Sequence, residues 1–150
     1  MKRVLALTLA CALSLGCQSE PKASQESNAA ERDVSPSYQS LFERGAGKLV
    51  AAVKALPKPL KELRIGKPSN RTRELLDTRQ LEHELTAQLL EVEGLVIVER
   101  DDAPWLVTST IGSEEVRRAE GRTITTTLQL QVVNTRGILA SVEATQVDKR

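Results

Sequence analysis

The strictest alternation of apolar and polar positions lies in residues 122–133. Ile124, Thr126, Leu128, Leu130 and Val132 fall on one side, and Thr125, Thr127, Gln129 and Gln131 on the other. A period of two over that length predicts a strand with one buried and one wet face. Residues 134–137 (Asn-Thr-Arg-Gly) read as a hairpin turn, and residues 138–147 as the returning strand. Residues 105–111 read as a further strand before them.

Upstream the period changes. Tyr38, Leu41, Phe42, Gly45, Leu49, Val53 and Leu56 recur at helical spacing. Ser35 is placed to cap that helix, with Pro36 at its first position. Gly45 and Gly47 weaken it by about 1 kcal/mol each relative to alanine, and Pro57 and Pro59 end it. Residues 60–67 predict a first strand with Leu63 and Ile65 on one face, followed by a loop through Gly66, Pro68, Ser69 and Asn70. Asp77 is the expected N-cap of a second helix, with Gln80 completing a capping box. Leu81, Leu85, Leu89 and Val92 form its apolar stripe, and Gly94 its stop at C′. The unbroken run Leu95-Val96-Ile97-Val98 predicts a strand covered on both faces.

The sum is an α+β domain over residues 36–150. A helix precedes the sheet, a right-handed β-α-β unit follows, and an antiparallel meander closes the chain. About four to five strands are expected, with helices on one or both faces.

The first 35 residues follow a different pattern. Lys2 and Arg3 precede a run from Val4 to Leu15 that only Thr8 and Ser14 interrupt. A dozen residues fall short of the roughly 20 that span a bilayer and match the apolar part of a signal peptide. The run ends Leu13-Ser14-Leu15-Gly16-Cys17, which is similar to a lipobox. Residues 1–16 are therefore expected to be a signal peptide and Cys17 a lipid-modified first residue. With Gln18 following, the expected site is the outer membrane, with the body facing the periplasm. Cys11 would be lost with the signal, which leaves Cys17 as the sole cysteine and no disulfide. Residues 18–35 contain one sizeable apolar residue, Val34, and read as a disordered tether. Its fully extended reach is roughly 60 Å, and its span as a flexible coil is nearer roughly 25 Å.

Composition narrows the chemistry. Without Lys2 and Arg3, 19 basic residues stand against 20 acidic ones, so no global charge points to nucleic acid. Tyr38, Phe42 and Trp105 are the only aromatics, which removes the stacking platforms of single-strand or sugar binding. His83 is the only histidine and has no partner ligands for a metal. Asp101-Asp102 beside Pro104 reads as a turn rather than an acid–base pair. There is no Gly-x-Ser-x-Gly elbow and no phosphate-binding glycine loop. An enzyme, a cofactor and a small-molecule substrate are all disfavoured. One stretch is locally basic: Lys54, Lys58, Lys61, Arg64, Lys67, Arg71, Arg73 and Arg79 against Glu62, Glu74 and Asp77. It is either a solvated surface or a dock for an acidic partner.

Residues 63–72 (Leu-Arg-Ile-Gly-Lys-Pro-Ser-Asn-Arg-Thr), with 77–81 (Asp-Thr-Arg-Gln-Leu) and 95–100 (Leu-Val-Ile-Val-Glu-Arg), resemble the LpoB family of penicillin-binding protein activators. In the C-terminal half, Trp105 to Thr108, Thr127 to Val133 and Gly137 to Leu139 match its remaining strands. The resemblance spans about residues 40–150. It implies the fold of the N-terminal domain of TolB and an outer-membrane lipoprotein without a cofactor. The implied partner is a class A penicillin-binding protein, whose glycosyltransfer and cross-linking it would stimulate. Under that reading Asn70, Arg71, Thr72 and Arg73 are the expected contacts. Two features depart from the family. Only residues 101–104 lie where a helix normally joins the second and third strands, which makes a hairpin the expectation there. The tether is also shorter than the long Pro-rich one of the family's best-known members. A structural or assembly lipoprotein of an outer-membrane secretion or flagellar system is the alternative reading.

Overall fold

The computed structural model describes residues 36–149, with side chains from Tyr38 onward. The expected signal peptide, Cys17, the tether and the Ser35 cap lie outside the described residues. Two helices and six strands follow in the order α1 (Pro36–Lys54), β1 (Glu62–Ile65), β2 (Ser69–Asn70), α2 (Thr78–Leu89), β3 (Val96–Ile97), β4 (Leu106–Arg118), β5 (Gly121–Asn134) and β6 (Gly137–Lys149). The architecture is the expected α+β one.

The strands form one mixed sheet in the order β3-β1-β4-β5-β6, with β2 also paired to β4. β1 runs parallel to both β3 and β4, while β4, β5 and β6 form an antiparallel meander. The β1-α2-β3 crossover expected from the sequence is therefore present. The first predicted strand is broken in two. Ile65 pairs with Val107 and Ser69 with Thr110, so β1 spends one more residue than β4 over this interval. Gly66 makes the break possible. Its N–H donates to Val107 O at 2.9 Å, and an added Cβ would stand 2.9 Å from that same oxygen. Ser69 and Asn70, expected in a loop, instead form the short β2.

The expected hairpin between the second and third predicted strands does not form. β3 and β4 flank β1 on opposite edges and run in the same direction. Residues 98–105 cross over β1 without a helix. Arg100 pairs with Glu62, and Arg64 with Asp101. Glu62 and Arg64 lie on the opposite face of β1 from the fully buried Leu63, so the crossing runs over the face away from the helices. The run 95–98 is not covered on both faces either. It ends the sheet as β3, with Leu95 buried and Val96 exposed.

Both helices pack on one face of the sheet. α1 lies on β5, β6 and α2, and α2 touches β1. Its buried stripe (Tyr38, Leu41, Phe42, Ala46, Leu49, Val50 and Val53) meets Val107, Ile111, Leu128, Leu130 and Val132 from the sheet. Fully burying such a side chain contributes roughly 1.5–3 kcal/mol. Gly45 is where α1 comes closest to β5: an added Cβ would sit 2.5 Å from Leu128 Cδ2. The glycine that weakens the helix locally is the one that lets it seat. The opposite face of β5 carries the polar set Thr125, Thr127, Gln129 and Gln131, as the alternation predicted.

Asp77 caps α2 by accepting from Arg79 N–H at 3.0 Å. The expected reciprocal half of the capping box is absent, because the Gln80 side chain makes no hydrogen bond among the described residues. Leu81, Leu85 and Leu89 are buried as expected. The helix ends at Leu89 rather than just before Gly94. Val92, half-buried, lies in the turn beyond it, where Gly94 at φ 77° precedes the bond from Leu95 N–H to Val92 O.

Candidate partner-docking cleft

After β2 the chain makes one last bond to the sheet, from Arg71 N–H to Ile111 O at 2.7 Å, and then turns away. The turn is built by two of the four residues singled out from the sequence. Asn70 Oδ1 accepts from Thr72 N–H at 2.8 Å, and Asn70 Nδ2 donates to Glu74 O at 2.8 Å. Thr72 Oγ1 accepts from Glu74 N–H at 3.2 Å. It also lies 2.8 Å from Asn70 Oδ1 and 3.1 Å from Glu74 O, with one proton to offer. Asn and Thr are the residue types that close such turns on their own backbone. Asn70 and Thr72 are thus occupied internally. The other two, Arg71 and Arg73, are exposed and form no side-chain hydrogen bond or ion pair among the described residues.

Arg71 and Arg73 form one wall of a cleft of about 630 Å³. The far halves of β4 and β5 supply the opposite wall with Ser113, Glu114, Glu115, Arg117, Arg122 and Ile124, while Tyr38 of α1 and Glu74 stand at its side. Glu115 accepts a hydrogen bond from Arg117 and lies 3.0 Å from Arg122 Nη2. The Arg117 hydrogen bond, ahead of the charges of Arg117, Arg122 and Arg73, holds the Glu115 carboxyl below the usual carboxylate range, against an opposing effect of burial. The same hydrogen bond raises the Arg117 guanidinium further. Tyr38 donates to Glu74. Burial first, then that hydrogen bond and the Glu74 charge, push the Tyr38 phenol above its ordinary value, while the Thr126 hydroxyl works in the other direction. Thr126 Oγ1 is buried without a well-formed hydrogen bond of its own.

The basic stretch of the sequence is not one patch. Arg64 lies on the far face with Asp101, Lys67 and Arg79 border a separate hollow with Asp77 and Glu82, and only Arg71 and Arg73 reach the cleft. Sequence reading missed Arg117 and Arg122. Their signal was the pair flanking a tight turn, Arg117-Arg118 and Gly121-Arg122, once residues 112–118 are taken as strand. His83 is exposed on α2, and Asp101 and Asp102 sit in a turn, paired with Arg64 and Arg100. Among the described residues no His, Cys, Asp or Glu cluster is arranged to hold a metal. No described helix is long and apolar enough to cross a membrane.

The fold has solved counterparts. The C-terminal domain of LpoB from Salmonella enterica superposes with a TM-score of 0.51 at 13% identity, over 72% of this chain and 96% of that one. The corresponding domain from Escherichia coli gives 0.47 at 14% identity, over 69% and 96%. Lipoprotein GNA1162 from Neisseria meningitidis gives 0.46 at 12% identity, over 61% and 84%. At such identities the first of these establishes an LpoB-like fold and nothing finer. No protein-family model matches the chain, and no curated protein does.

Proposed function

We propose that this chain is a lipid-anchored docking protein of the outer membrane that binds a class A penicillin-binding protein and stimulates its peptidoglycan synthesis. The observation that carries the docking part is the cleft, where two arginines without ion-pair partners among the described residues are presented on a hydrogen-bonded turn. Such a rigid, positively charged wall favours fast and selective association with an acidic surface. The LpoB-like fold and the Asn70-Arg71-Thr72 sequence support the choice of synthase. In this reading Cys17 carries the lipid, residues 18–35 are the leash, and the domain acts by binding rather than by catalysis.

The test is to add the purified chain to class A synthases of the source cell and follow glycan polymerisation. The expected result is a several-fold rate increase that charge reversal at Arg71 and Arg73 removes. No binding and no rate change with any of those synthases would end the proposal. A second reading has one feature in its favour. The 18 residues between Cys17 and Pro36 extend roughly 60 Å at most, a reach that suits a partner near the outer membrane. Co-purification with a secretion or flagellar ring, and not with a synthase, would select that reading.

A further inference from the structure

We infer that the cleft receives its partner as an extended acidic segment, added as a strand to the free edge of β4 between Ser113 and Arg117. This names the chemistry of the partner segment for the docking surface proposed above, and rests on that reading.

The argument starts from backbone hydrogen bonds. Trp105 O, Val107 O and Ile111 O of the β4 track accept from Arg64, Gly66 and Arg71 N–H. The odd-numbered residues of β4 therefore turn their backbone groups toward β1 and β2, and the even-numbered ones toward β5. That pattern continues to Arg118, because β4 and β5 stay in register to the Arg118–Gly121 pair. β2 does not continue with it. Its last pair is Asn70 with Ile111, after which the Asn70–Thr72 turn carries the chain off the sheet. The N–H and C=O groups of Ser113, Glu115 and Arg117 are left facing the cleft with no partner among the described residues. A strand laid there would be collinear with β1 and β2.

The other edges of the sheet are guarded by side chains or by shortness. On β6, Lys48 donates to Glu143 O at 2.7 Å and Arg44 to Thr145 O at 3.1 Å. At the far side β3 is two residues long. Short strands and covering basic side chains are the usual protections of an edge. The far half of β4 has neither. Its protection is charge: Glu115 and Arg117 point to the helix-side face, beside Arg122 and within reach of Arg73. Mixed charge discourages pairing with an arbitrary strand and selects a complementary one. Arg117 and Arg122 hold Glu115 at ion-pair distance, Arg73 acts on it only through its charge, and Arg71 pairs with no carboxylate among the described residues. Four arginines line the cleft against Glu74, Glu114 and Glu115, so the remaining demand is for negative charge, on the face of the guest that points toward Arg71 and Arg73. Strand addition draws affinity from backbone hydrogen bonds and specificity from alternate side chains, and both are supplied here.

The test uses the full chain in detergent and a fluorescein-labelled peptide of about nine residues alternating Glu and Val. Binding is read by anisotropy, and amide exchange by NMR. The expected result is binding that slows exchange at Ser113, Glu115 and Arg117. It should weaken about tenfold when Lys replaces Glu in the peptide, and as much when the peptide is N-methylated on its pairing edge. Ser113→Pro removes one edge-facing N–H and leaves the β4–β5 ladder intact, so the same loss is expected. The N-methylated peptide tests the same bonds on the unaltered chain if that variant folds poorly. Absence of binding, binding indifferent to N-methylation, or slowed exchange confined to other residues each overturns the inference. A chain that stimulates a synthase yet ignores the peptide refutes strand addition alone. A chain that binds the peptide and no synthase refutes the synthase reading alone.

Discussion

Tyr38, in the first turns of α1, donates its phenolic hydrogen to Glu74, 36 residues further along the chain. That bond ties the start of the helix to the turn that presents Arg71 and Arg73. Tyr38 is the only tyrosine, so absorbance near 295 nm reports its ionisation alone. Its phenol is raised above the ordinary value near 10 by burial and by Glu74. The neutral form is the one the fold favours. Its contribution to stability is therefore complete below the ordinary tyrosine range and is lost as pH rises through the raised value. We expect a spectroscopic titration displaced to high pH, and Glu74→Gln to move it part of the way back because burial remains. A midpoint at the ordinary value in the native chain would contradict the arrangement.

Gly45 and Gly47 are two residues apart in α1 and should respond oppositely to alanine. At Gly45 a Cβ would meet Leu128 Cδ2 at 2.5 Å, with Leu130 Cδ1 behind it at 3.5 Å. Leu128 and Leu130 are fully buried and have little room to yield. Overpacking of this kind costs about 1–3 kcal/mol, which offsets or exceeds the gain of about 1 kcal/mol in helix propensity. At Gly47 the nearest atom is Gln88 Oε1 at 3.5 Å, an ordinary contact. Urea unfolding should show Gly47→Ala stabilised by up to about 1 kcal/mol and Gly45→Ala no more stable than the parent. Equal gains at both sites would mean that α1 does not seat on β5 at Gly45.

How much of this was legible in the sequence depends on what set each element. β5 was legible because one face of it is buried under α1 along most of its length, so burial wrote a period of two into its residues. The far half of β4 was not. Residues 112–118 project past the helices, only Val116 among them is a large apolar residue, and pairing with β5 alone makes them a strand. The cleft wall formed by Arg117 and Arg122 was hidden with it. The run at 95–98 misled for the opposite reason: four apolar residues suggested cover on both faces, yet β3 is the sheet edge. The order of β3, β1 and β4 rests on how a short connection crosses β1, held by Arg64–Asp101 and Glu62–Arg100, and no local pattern encodes that. Arg71 and Arg73 were reachable from charge alone, whereas the structural part played by Asn70 and Thr72 needed the geometry.

The capped β6 edge leads to a solution-state expectation. Arg44 and Lys48 reach from α1 to Thr145 O and Glu143 O, and Arg44 also donates to Gln146 Oε1 at 2.7 Å. These bonds cover two carbonyls that another strand would need. The double substitution Arg44→Ala with Lys48→Ala should leave the fold intact and make the chain associate as its concentration rises. Sedimentation velocity checks this. A variant that sediments as the parent does over the same concentration range would show that the two side chains do not guard the edge.

The loop of residues 70–73 separates structure from recognition, and the two can be measured apart. Asn70 joins Thr72 N–H and Glu74 O through one side chain. Asn70→Ala removes those bonds, and each typically contributes about 0.5–1.5 kcal/mol. Chemical denaturation should therefore show a loss of about 1–2 kcal/mol, and partner affinity should fall because Arg71 and Arg73 lose their fixed placement. Arg71→Glu with Arg73→Glu breaks no hydrogen bond or ion pair among the described residues. It should leave the unfolding midpoint nearly unchanged while weakening association about tenfold, mostly through a slower on-rate that added salt suppresses in the parent. Binding kinetics and unfolding measured on the same two variants decide between the alternatives. If both lose stability equally and affinity falls only in proportion, the loop is scaffold and the contact surface lies elsewhere. If affinity falls in the charge variant with stability intact, the turn is a mount and the two arginines are what the partner reads.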